Sequence, residues 1–190
     1  MVKVIARIIS ILFHPLVVII AFSAIYIKEM YGAELANMVM WLIGIIAIIP
    51  IVIYNSVQLV RGKITNFDLS NQVERNKTYP MLLTILLLLV LSGVYYDLPD
   101  QIIYALFVYS LMITVFYFFR NKLKISLHAS TSFFLTSMML FVFFNAGMIA
   151  FVISILISAS RIVLKRHTLT EVIVGGGSGI VSGLIAGMIH

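Results

Sequence analysis

Residues 160–171 read SRIVLKRHTLTE: Ser160-Arg161, five residues, His167, three residues, then Glu171. They lie where one apolar segment ends and the next begins. A planar guanidinium binds two phosphate oxygens at once. A neutral imidazole can attack phosphorus directly and become a phosphohistidine. A carboxylate four residues beyond His167 is one helical turn away, close enough to hold the other ring nitrogen. The same letters also have a plainer reading. Thr168-x-x-Glu171 is a capping-box pattern, and Arg161, Lys165, Arg166 and His167 could be interfacial anchors that snorkel to lipid headgroups. The segment alone does not choose between the two.

A second histidine stands in KISLHAS, residues 124–130, at the opening of another apolar run. Backbone N–H groups and the positive end of a helix can face an anion there. Ser126 can donate to phosphate, His128 can protonate a leaving alkoxide, and Lys124 can add a cation. In isolation these residues also read as an N-cap serine beside an interfacial histidine. The one long polar stretch, residues 61–79, is expected to be a loop. Within it Arg75 could complete a cationic cradle, while Lys63 and Lys77 read as solvated.

The elements that must position these groups are membrane spans. Of the 190 residues 62% are hydrophobic and 11% charged, against roughly 45–50% and about 25% in soluble domains. That is too little polar surface for a soluble globule. About 20 apolar residues cross the hydrocarbon, and seven runs qualify: residues 4–27, 35–60, 80–96, 102–119, 129–144, 148–164 and 169–189. The sequence therefore predicts an all-α, polytopic transmembrane bundle of six to seven spans, one domain over residues 1–190, with the site at one membrane face. The first run is too long for a secretory signal peptide and lacks a small-residue cleavage site. The chain has no cysteine, which excludes disulfides and thiolate metal sites. A net charge of +6 confined to loops suits anionic headgroups and excludes a nucleic-acid groove.

Counting crossings puts the loops holding Arg75, His128 and His167 on one face. Of the 13 Lys and Arg residues, only Lys28 falls on the other, so the positive-inside rule makes the motif face cytoplasmic. Two features read as structural. His14-Pro15 interrupts the first run, where proline frees a carbonyl that the imidazole could satisfy, unless the ring faces a cavity. Gly175, Gly179, Gly183 and Gly187 recur every four residues, a stripe that permits close helix packing.

The combination resembles the type 2 phosphatidic acid phosphatase superfamily of metal-independent membrane lipid-phosphate phosphatases, in a divergent bacterial branch. The family's third motif is Ser-Arg-x5-His-x3-Asp, matched here by SRIVLKRHTLTE with Glu171 in place of Asp. Its second, Pro-Ser-Gly-His, corresponds to ISLH, which keeps Ser126 and His128. Its first, Lys-x6-Arg-Pro, is degenerate: Arg75 matches the arginine, and Asp68 stands where the lysine would be. The branch is similar over nearly the whole chain, at His14-Pro15-Leu16, Lys124 to Ala129, and Arg166-His167-Thr168. The resemblance implies His167 as nucleophile, Glu171 as its orienting acid and His128 as general acid. It implies Arg75, Ser126 and Arg161 as phosphate ligands, and Lys124 could substitute for the missing lysine. It also implies a phosphorylated lipid substrate, a bacterial inner membrane setting and no cofactor or metal. Two rivals remain open: a lipid-phosphate binding or transport protein without catalysis, and an intramembrane prenyltransferase, which would need Asp-x3-Asp clusters that the sequence lacks.

Overall fold

The computed structural model describes residues 2–67 and 71–188, so Asp68 lies outside the described residues. The described residues form nine α-helices: α1 (Val2–Leu12), α2 (Pro15–Tyr31), α3 (Ala33–Ile43), α4 (Ile49–Val60), α5 (Gln72–Tyr95), α6 (Asp100–Phe119), α7 (Leu127–Val142), α8 (Phe144–Val163) and α9 (Leu169–Gly187). A π-helical turn, Gly44–Ile48, joins α3 to α4 just before Pro50. A π turn is a common way for a helix to absorb a local mismatch. The all-α membrane bundle is as expected. Its outer faces carry exposed apolar side chains such as Trp41, Tyr95 and Phe118, which lipid rather than water would cover.

Three elements differ from the expectation. The first run is not one straight span. Five helical stretches are long and apolar enough to cross a membrane, and α1 with α2 makes a sixth only as a pair bent by 54°. The cause is Pro15, which opens α2 and lacks the N–H that would continue α1. The second difference is α5. It starts at Gln72, eight residues before the expected span, so Arg75 sits in its first turn and not in a loop. Asn71 caps that turn by accepting the Val73 N–H. Gln72, Arg75 and Asn76 tie it to the α6–α7 link, through Arg120 O at 2.7 Å, Ile125 O at 2.8 Å and Asn121 Oδ1 at 3.1 Å. Pro80 lies inside α5 without ending it, since one lost hydrogen bond is outweighed by the packing on either side.

The third difference is α7. At 16 residues it is shorter than a full span, and it is the centre of the bundle. Every residue from 128 to 134 and from 136 to 139 is buried. α7 packs chiefly against α9 and α8. Four of its hydroxyls bond within the helix or to a neighbouring one: Ser130 donates to Leu127 O and Ser132 to Ala129 O, while Thr136 pairs with Ser154 and Thr131 with Tyr109.

The glycine stripe of α9 makes this packing possible. A β-carbon at Gly175 would fall 2.7 Å from Ser126 O, at Gly179 2.3 Å from Ser130 O, and at Gly183 2.3 Å from Phe134 O. The two backbones are therefore in direct contact, with no layer of side chains between them. Gly177, on the same helix, would meet nothing within 4 Å. We expect Gly179→Ala to cost about 3 kcal/mol, at the upper end of overpacking penalties, because the obstacle is backbone. Gly177→Ala should be neutral or stabilising by about 0.5–1 kcal/mol, the helix propensity gain. Melting temperatures of the two variants in detergent check this, and equal temperatures would refute the contact.

Candidate functional site

Four helices begin at one end of the bundle, each with a side chain accepting a backbone N–H of its own first turn. His14 caps α2, Asn71 α5, Ser126 α7 and Thr168 α9. Helices α3, α6 and α8 have no side-chain cap. The capped starts converge. The Ser126 N–H donates to Glu171 O at 3.2 Å, joining α7 to α9. The His14 and His128 rings meet edge to face at 5.4 Å, joining α2 to α7. The positive ends of four helix dipoles thus surround one small volume.

His167 lies in the α8–α9 link, its side chain only 5% exposed. Its Nδ1 is 2.9 Å from Glu171 Oε2 and 3.0 Å from Lys124 O. Both partners are acceptors, so Nδ1 carries the proton and Nε2 keeps its lone pair. Glu171 meanwhile closes the capping box: its Oε2 accepts the Thr168 N–H, and Thr168 Oγ1 accepts the Glu171 N–H. The orienting role and the capping role, alternatives in the sequence, are one arrangement in the structure. Burial pushes the His167 imidazole down to about 3, reinforced by the nearby cations Lys124, Arg161 and Arg75 and opposed by the hydrogen bond at the Lys124 carbonyl.

Arg75 and Arg161 are the two buried guanidiniums, 4% and 1% exposed. Arg75 donates Nη1 to Ile125 O at 2.8 Å, while its buried Nε and Nη2 have no hydrogen-bond partner. Those two N–H groups form the side-on fork that grips an oxyanion. The Tyr79 ring, with its centroid 5.9 Å from the guanidinium carbon, backs the group. Arg161 donates Nη1 to Ser10 Oγ of α1 at 2.6 Å.

Arg75, His128, Arg161 and His167 all line one cavity of about 260 Å³. The rest of its wall is mainly apolar and follows α2 from His14 to Ile27, about 20 Å at 1.5 Å per residue. Three of the expected site residues stand behind this wall. Lys124 donates Nζ to Arg166 O at 2.7 Å and so braces the link that carries His167. Ser126 is fully buried, its Oγ accepting the Ala129 N–H as the cap of α7. Glu171 reaches the site through His167. Lys124 and Ser126, expected as phosphate ligands, are thus not on the cavity wall, and each is bonded to backbone. His14 lines the cavity, one of the two places that the sequence allowed its ring, although a structural role was favoured. Its position directly before the helix-breaking Pro15 was the available signal.

No family model matches the chain, and no curated protein or solved structure is significantly similar to it.

In the unfolded chain an imidazole takes up a proton below about 6.5; in the folded protein His167 does so only near 3. Between those values the unfolded state binds more protons, so this residue lowers stability as the pH falls. Nitrogen-15 spectra of histidine-labelled protein should show His167 still neutral, as the Nδ1–H tautomer, at pH 5. An imidazolium signal there would contradict the site electrostatics.

Proposed function

We propose that the chain is a member of the type 2 phosphatidic acid phosphatase superfamily and hydrolyses a phosphomonoester or pyrophosphate on a membrane lipid through a phosphohistidine, without a metal. The observation that carries the reading is the unpartnered Nε/Nη2 fork of buried Arg75 on the wall shared with Arg161, His128 and His167. An uncompensated buried charge is costly, and an oxyanion in the cavity would offset it. The apolar remainder of the wall suits the hydrocarbon of a lipid.

In the first half of the reaction the Nε2 lone pair of His167 forms a bond to phosphorus. The bond from phosphorus to the lipid oxygen breaks, and the departing oxygen takes a proton from His128, which the negative charge of the bound phosphate holds as the imidazolium. Glu171 and the Lys124 carbonyl hold the Nδ1 proton and stabilise the positive charge that develops on the ring. Arg75 and Arg161 offset charge on the equatorial oxygens. In the second half His128 takes a proton from water, the resulting hydroxide attacks phosphorus, and the bond to Nε2 breaks. Phosphate leaves, and both histidines return to their starting states.

Two measurements test the reading. Phosphate release from lipid phosphates should persist in EDTA and vanish in His167→Ala, and label at phosphorus should be trapped on His167 and absent from the variant. Glu171→Gln should keep the cap, which accepts either side chain. It should nevertheless slow turnover by about tenfold or more, roughly 1.4 kcal/mol of barrier. Release that needs a divalent ion would overturn the proposal, as would label on His128; no release from any lipid phosphate would favour a binding protein.

We further propose that the site faces the cytoplasm of a bacterial inner membrane, on the strength of the distribution of the 13 basic residues. Both Lys63 and Glu34 are exposed in the structure. In intact cells Lys63→Cys should resist an impermeant thiol reagent and Glu34→Cys should react; the reverse pattern would invert the orientation.

A further inference from the structure

A second cavity, about 670 Å³ in volume, adjoins the one that holds His167. Four cationic side chains line it: Lys3 and Arg7 from α1, and Lys165 and Arg166 from the α8–α9 link. No Asp or Glu lines it among the described residues. His14 and Phe67 line both cavities, so they form the partition between the two. The Ser10 that accepts from Arg161 Nη1 also lines the outer cavity. The inner guanidinium therefore touches the outer wall.

The backbone at Lys165 adds an independent observation. α8 ends in a Schellman turn, with the Arg166 N–H on Arg161 O at 3.0 Å and the Lys165 N–H on Ile162 O at 2.9 Å. The residue after the C-cap Leu164 must then adopt a left-handed conformation, a position usually held by glycine. Here it is Lys165, with φ at +55°, and that backbone is strained for any residue bearing a β-carbon. Glycine would fit the turn better. What lysine adds there is a charge directed at the outer cavity, where three other cations already repel it.

We propose that this outer cavity is a second oxyanion site, which takes one tetrahedral phosphate group beside the cavity of His167. Two sources share that chemistry: free orthophosphate, and the phosphodiester headgroup of a neighbouring anionic lipid. The site requires no turnover at His167 and can be read separately from it.

The chain contains no cysteine, so Ile11→Cys places a single thiol on the outer wall, at a side chain that is 66% exposed. Its modification by an anionic methanethiosulfonate should be roughly tenfold faster than by a neutral one of the same size, because the cations concentrate the anion. Lys165→Gly should remove much of that preference, and so should Lys3→Gln with Arg7→Gln. Lys165→Gly relieves the backbone, so an unchanged or raised melting temperature would separate lost charge from lost fold. Orthophosphate added to protein in neutral detergent should slow the anionic reagent if the ligand is free phosphate. In lipid nanodiscs without added phosphate, replacing phosphatidylcholine in part by phosphatidylglycerol should slow it if the ligand is a headgroup. Slowing by either supports the site and names its source. Slowing by neither, or an unchanged reagent preference in Lys165→Gly and the double variant, would overturn it.

Discussion

The backbone contact between α7 and α9 is the constraint on which the rest of the site depends. Lipid offers apolar helices no hydrophobic reason to associate, so close van der Waals approach and polar bonds must do the work. Gly175, Gly179 and Gly183 let α9 reach the carbonyls of Ser126, Ser130 and Phe134. That approach allows the Ser126 N–H to bond Glu171 O, which sets the two helix starts side by side. His128 opens one of them and His167 precedes the other. The register of a small-residue stripe therefore fixes the relation of two imidazoles that are 39 residues apart in sequence.

The electrostatics follow from this assembly. Four helix starts and two buried guanidiniums gather round one cavity, with the Lys124 ammonium behind its wall and the Glu171 carboxylate bonded to the His167 ring. Glu171 is occupied twice over, with the His167 ring and with the cap of α9. It fixes a tautomer while neutralising little of the surrounding charge. A cradle built in this way is unfavourable when empty and favourable when an anion fills it.

Much of this was legible in the residues. The membrane bundle followed from hydropathy, and the glycine stripe from its spacing of four. The grouping of Arg161, His167 and Glu171 followed from a spacing that helical geometry brings together. The start of α5 was not legible, because its first two turns are polar. Their partners are carbonyls and amides of the α6–α7 link, nearly 50 residues away, and hydropathy carries no trace of such bonds. The break between α1 and α2 was signalled by Pro15, but its angle is set by packing: Ser10 must reach Arg161 while His14 meets His128. The place of Lys124 was not legible for a related reason. A cation beside a histidine reads as a ligand, and nothing in the sequence marks the Arg166 carbonyl, 42 residues on, as its partner.

The hydroxyl-rich character of α7 has a consequence for the order of biosynthesis. Sixteen residues with Ser130, Thr131, Ser132, Thr136 and Ser137 among them make a poor independent passenger in a bilayer, too short and too polar to be retained alone. Its stabilising surfaces are α8 and α9, both synthesised after it. The packing at the centre of the bundle is therefore complete only once the glycine face of α9 has been synthesised. Because His167 lies just before α9, the chain completes its core and the His167 end of the cavity together.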